Sequence, residues 1–144
     1  VGTLWYRQGG GKPGGGVLYF HLAPDGCFVA AGFYMPEPEA LDCIRERIRV
    51  HPDRFLAMQD ELRAAGLELG RTEMLSRMPK GFEDLTGAKV DPALRLKSFM
   101  VRREITPKQV HGPGLTRTIA GLGADALPLL RFGWDALDEV RSHA

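Results

Sequence analysis

Between Val17 and Phe55 the chain reads VLYFHLAPDGCFVAAGFYMPEPEALDCIRERIRVHPDRF, and this stretch constrains the fold more than any other. Val17–Leu22 is rich in β-formers and reads as a strand. Pro24-Asp25-Gly26 turns the chain, because proline presets φ and glycine tolerates positive φ. Cys27–Tyr34 runs back as the partner strand. Both strands are apolar on both faces: Val17 and Tyr19 alternate with Leu18, Phe20 and Leu22, and Val29 and Phe33 alternate with Phe28 and Tyr34. Such a sheet is covered on both sides, or has helices on one face and a pocket or partner on the other.

Pro36-Glu37-Pro38-Glu39 ends the second strand and opens a helix, since proline and acids suit the orphan amides of a first turn. Leu41, Ile44 and Ile48 form its apolar stripe. His51-Pro52 breaks the pattern, and Phe55, Met58, Leu62 and Ala65 carry the next helix to Gly66. Upstream, Thr3–Arg7 reads as a strand and Gln8–Gly16 as a glycine-rich connector. Downstream, a short strand is expected around Leu67–Leu69. A longer one covers Leu94–Glu104, with Leu94, Leu96 and Met100 on one face. Thr106-Pro107 caps a short helix. Leu115–Leu122 is helical, and Leu127, Leu130, Trp134 and Leu137 define a last helix.

These elements predict an α+β fold: a mainly antiparallel sheet with helices packed on it. The 144 residues make one domain, 1–144, of ordinary globular composition with 44% apolar and 26% charged residues. Apolar runs such as Cys27–Tyr34 are far below the roughly 20 residues of a membrane helix, so no membrane partner is expected. Cys27 and Cys43 have no metal-type spacing and read as small buried residues, with a cytoplasmic setting as the default. The chain opens on Val1-Gly2-Thr3-Leu4-Trp5-Tyr6, already strand-like. An apolar opening strand needs neighbours, so further N-terminal structure is expected ahead of it.

Recognisable catalytic apparatus is absent. Lys12 is followed by Pro13, so the glycine-rich connector is not a phosphate loop. The four histidines show no paired spacing, so no metal is expected, and no cofactor motif is present. Catalytic residues are not identifiable. Charge is more informative in distribution than in its total of +1. Lys89–Lys108 holds six cations and two acids, a net of +4, whereas Glu37–Glu68 nets −3. Arg95 and Lys97, two apart on the expected strand, share a face. Lys80 precedes them beside Gly81 and Phe82. Tyr19 and His21 share a face of the first hairpin strand. A basic, aromatic sheet face of this kind binds phosphate-bearing ligands or single-stranded nucleic acid.

From GVLYFHLAPDGCFVAAGFYMPEPEALDCIRERIRVHPDRF, through Met78-Pro79-Lys80-Gly81-Phe82, to Leu94-Arg95-Leu96-Lys97-Ser98-Phe99, the chain resembles a bacterial family of conserved hypothetical proteins, domain of unknown function 2461. The resemblance implies a longer protein with a mostly helical N-terminal portion, ending in a polar stretch rich in arginine, aspartate and lysine. This chain would then be the C-terminal part of that domain. The resemblance supplies no reaction.

Three readings follow. The first is a binding module whose sheet face, lined by Tyr19, His21, Lys80, Arg95 and Lys97, accepts an anionic small molecule or nucleic acid. The second is an enzyme whose site is completed by an N-terminal segment, with a buried His21 bonded to a carboxylate. The third is a structural domain that forms a homo-oligomer through its apolar sheet.

Overall fold

The computed structural model describes residues 2–6, 16–23 and 26–142. Four strands form one antiparallel sheet in chain order: β1 (Gly2–Tyr6), β2 (Val17–Ala23), β3 (Gly26–Phe33) and β4 (Phe99–Ile105). Between β3 and β4 lie α1 (Pro38–Val50), α2 (Pro52–Ala64), a short 3-10 turn (Glu83–Leu85) and α3 (Asp91–Leu94). After β4 come α4 (Pro107–Val110), α5 (Leu115–Asp125) and α6 (Leu127–Ser142). The α+β expectation therefore holds. The connector residues 8–15 and the turn residues Pro24 and Asp25 lie outside the described residues, as does Arg7 of the expected first strand.

One face of the sheet is covered by helices. Val29, Ala31 and Phe33 of β3, with Phe99, Val101 and Ile105 of β4, point to this side and are buried. Helices α5 and α6 lie on β3, and α1 and α2 lean on α6. The approach is close at Gly133, where an added Cβ would sit 2.2 Å from the Phe33 ring. Glycine there lets α6 bring its backbone down onto the sheet. Leu129, Leu130, Phe132 and Ala136 are the deepest residues of α6, while Leu127, Trp134 and Leu137 of the expected stripe are half-buried around them. Phe55 and Phe132 meet edge to face at 5.4 Å and join α2 to α6.

Arg45 ties the two halves of the fold together. The residue is buried, 6% exposed, and its side chain donates from Nε to Leu94 O at 2.9 Å and from Nη2 to Leu96 O at 3.1 Å. Burial lowers the Arg45 pKa, and Asp42 at 3.8 Å opposes that shift. Arg47 crosses from α1 to α6, bonding Glu139 at 2.9 Å.

The expected strand Leu94–Glu104 needs correction. Pro92 at the start of α3 and the bond from the Arg95 amide to Pro92 O at 3.3 Å curl this segment into a helical turn. Leu96 makes a single bridge to Met74, and β4 begins only at Phe99. The register moves with it: Phe99 and Val101 face the helices, and Met100 faces the other way. Leu67–Leu69 forms no strand. It leads into a stretch that follows the free edge of β4, where the Gly70 amide donates to Met100 O at 2.9 Å and the Lys97 amide to Glu73 O at 3.2 Å. At Met100 the outer edge of β4 is thus occupied by the protein's own backbone.

Candidate binding site on the uncovered sheet face

The pleat places alternate residues on the second face of the sheet. In register across three strands stand Val17, Gly32 and Met100, then Tyr19, Ala30 and Arg102, then His21, Phe28 and Glu104. No described helix packs on this side. The face borders a cavity of about 740 Å³, walled along the β4 edge by the Glu68–Glu73 stretch. Both-sided apolar strands thus resolve into the second alternative: helices on one face, a pocket on the other.

The rings form one cluster. His21 stacks on Phe28 with centroids 4.8 Å apart and planes at 23°. Tyr19 lies 5.9 Å from His21 and 6.1 Å from Phe28. The Tyr19 hydroxyl and His21 Nδ1 are hydrogen-bonded at 3.0 Å. From β4, the Arg102 guanidinium carbon sits 4.5 Å from the Phe28 ring centre, and the same guanidinium is paired to Glu104. Tyr34, 62% exposed, stands at the mouth. Beside it Met35 has φ 41°, the only positive φ at a non-glycine among the described residues. Its amide donates to Ser98 Oγ at 2.8 Å, and Ser98 also lines the cavity. The Ser98 hydroxyl thus holds an exposed methionine in the left-handed region, which non-glycine residues rarely adopt.

Of the five residues singled out from sequence, Tyr19 and His21 come together here. Lys80 is exposed on the loop before the 3-10 turn. That loop is held by Arg49, which donates to Gly81 O and lies 4.2 Å over the buried Phe82 ring. Arg95 is engaged with Asp91 at 2.7 Å and donates to Ser76 O at 2.8 Å. Lys97 is half-buried next to Ser98. None of these three lines the cavity. The expectation that Arg95 and Lys97 share a strand face with the rings fails because the strand starts after them. Nor does a described carboxylate bond His21; its hydrogen-bond partner is Tyr19.

Arg95 serves the fold instead. Its guanidinium, and then the Gly87 amide, hold the Asp91 carboxyl below the usual carboxylate range. A depressed carboxylate pKa contributes stability that is present above the unfolded value, about 3.9, and lost as pH falls through the folded value. Asp91→Asn should therefore lower the urea midpoint at neutral pH. The gap to wild type should close as the pH drops below about 4. A gap that stays constant across an acid titration of both proteins would contradict this.

Phe28, Ser98, Arg102 and Glu73 were missed. Phe28 was within reach, since counting outward from a turn at Pro24-Asp25 pairs His21 with Phe28. Arg102 gave no local signal, because β3 and β4 are separated by α1, α2 and α3.

Among the described residues, the chain is an α+β protein with helices on one face of its sheet and an aromatic cluster on the other. Residues 1–132 match the family described as conserved hypothetical protein (DUF2461), and the chain belongs to that family. No curated protein and no solved structure matches it. Among the described residues, no helix is long and apolar enough to cross a membrane, and no group of three or more His, Cys, Asp or Glu could hold a metal ion.

Proposed function

We propose that this protein is a binding module whose uncovered sheet face holds a flat, nitrogenous ring ligand of nucleoside type. The observation that carries the reading is the 740 Å³ cavity floored by Tyr19, His21 and Phe28 and edged by Arg102. Small-molecule sites span about 300–1,000 Å³. Ring faces stack on bases with about 1–3 kcal/mol each, without demanding one particular base. Glu68 and Glu73 on the rim accept from N–H and O–H groups, and Ser98 supplies a hydroxyl.

Charge refines the anionic ligand expected from sequence. The cavity lining carries one arginine against two glutamates, and Arg102 is already paired to Glu104. A phosphate gains little at such a surface, so the uncharged form is the better ligand. Only two cysteines, without paired spacing, fit a reduced, cytoplasmic setting for this work.

Titration calorimetry with adenosine and with adenosine 5′-phosphate tests the reading. Adenosine should bind with a Kd of about 1 mM or tighter, and the phosphate form no more tightly. Affinity for adenosine should change less than about twofold when salt is raised tenfold. Phe28→Ala should weaken binding about tenfold. Tyr34→Ala, at an exposed position, should weaken it by less without disturbing the fold. No binding of adenosine at about 10 mM, or tighter, salt-sensitive binding of the phosphate form, would overturn it.

A further inference from the structure

A second, smaller cavity lies on the far side of the Leu67–Arg71 segment, between that segment and α2. It measures about 170 Å³. Its floor includes Leu62, Leu67, Ala93 and Leu96, all buried. Its mouth is different in character. Arg63 comes from α2, Arg71 from the segment itself and Lys89 from the loop before α3. Three stretches of chain thus bring three cations to one opening, against the single carboxylate of Glu68.

The cations are unequally engaged. Arg63 faces Glu68 at 3.4 Å and Asp60 at 3.8 Å. The side chains of Arg71 and Lys89 are exposed, and neither has an ion pair or hydrogen bond with another described residue. Gln59, half-buried on α2, adds an amide to the lining. Unused positive charge therefore converges over an apolar floor.

We propose that this cavity is a binding site for a small carboxylate bearing an apolar ring or short chain. An apolar cavity of about 150 Å³ accepts a molecule the size of benzene, so the volume here admits one such group. The arginine fork matches a carboxylate in its plane, and Lys89 adds a second charge. Inorganic phosphate would meet the cations but leave the leucines uncovered. A neutral ring would fill the floor but leave Arg71 and Lys89 without a counter-charge. The carboxylate with an apolar tail satisfies both, and it does so without reference to the sheet-face cavity.

Benzoate is the probe, followed by amide chemical-shift titration and calorimetry on the whole chain. It should saturate with a Kd of about 1–10 mM. The largest shifts should fall in residues 67–71 and 89–96. Benzamide, the same shape without the charge, should bind at least about tenfold more weakly. Arg71→Gln and Lys89→Gln, both at exposed positions, should each weaken benzoate about fivefold, with thermal midpoints unchanged. Tyr34→Ala should leave benzoate binding untouched. Equal binding of benzoate and benzamide overturns the proposal, as does unchanged benzoate affinity in the Arg71→Gln/Lys89→Gln double variant. So does the absence of saturation below about 50 mM. Loss of adenosine binding with benzoate binding retained removes only the sheet-face reading, and the reverse removes only this one.

Discussion

Gly32→Ala is expected to destabilise the protein by about 4 kcal/mol or more, at the exceptional end for a single substitution. Gly32 has φ 137°, a region that side-chain-bearing residues rarely adopt. An added Cβ would lie 2.0 Å from Phe99 O and 2.9 Å from Met100 Cα, both in the β4 backbone. A flexible side chain could swing aside; a ladder strand cannot. Overpacking typically costs about 1–3 kcal/mol, and a forced backbone conformation about 1–3 kcal/mol more. Both apply at once. Moving β4 away from β3 would also disturb the pairing of Phe33 with Phe99, two of the largest fully buried side chains. Urea denaturation of Gly32→Ala against Gly121→Ala checks this. Gly121 sits on α5 with open space around it, and alanine there should be neutral or stabilising by about 0.5–1 kcal/mol. A loss at position 32 below about 1 kcal/mol would show that the sheet yields at this point.

The second large effect is expected at Arg45. Arg45→Met should cost about 3–5 kcal/mol, the scale for removing one member of a buried polar set. The methionine fills much of the space, yet the carbonyls of Leu94 and Leu96 lose their donors. Each buried, unsatisfied group costs about 1–3 kcal/mol. Arg45→Lys should recover only part, because one ammonium cannot reproduce two donors set in a rigid fork. Asp42→Asn should change stability by less than about 1 kcal/mol, since that carboxylate is 68% exposed and 3.8 Å away. Equal stability of the Met and Lys variants would mean that the stem of Arg45, and not its hydrogen bonds, holds α1 to the β4 approach.

The hairpin and the helices were legible because local chemistry and tertiary structure agree there. Pro36 and Pro38 stop one element and start another, and the stripe through Ile44 and Ile48 is buried as its spacing implies. The start of β4 was not legible. Leu94 and Leu96 alternate like strand residues and are indeed buried, but a helical turn and a single bridge bury them. That turn shifts the phase of everything after it, which is why Met100 points away from the core and Arg95 and Lys97 miss the ring cluster. Tyr19 and His21 were found because their own strand fixes their face. Their neighbours Arg102 and Glu73 arrive from distant segments, and only the sheet pairing reveals them.

The stretch from Leu67 to Thr72 acts as a party wall. Leu67, Leu69 and Arg71 look into one chamber, Gly70 and Thr72 into the other, and Glu68 borders both. Apart from Glu68, successive residues alternate between the two, so parity governs what each room contains. A single-residue insertion or deletion here would swap the two furnishings, sending leucine toward the aromatic floor and small polar groups under the arginines. A two-residue change would keep each set of side chains facing its own chamber.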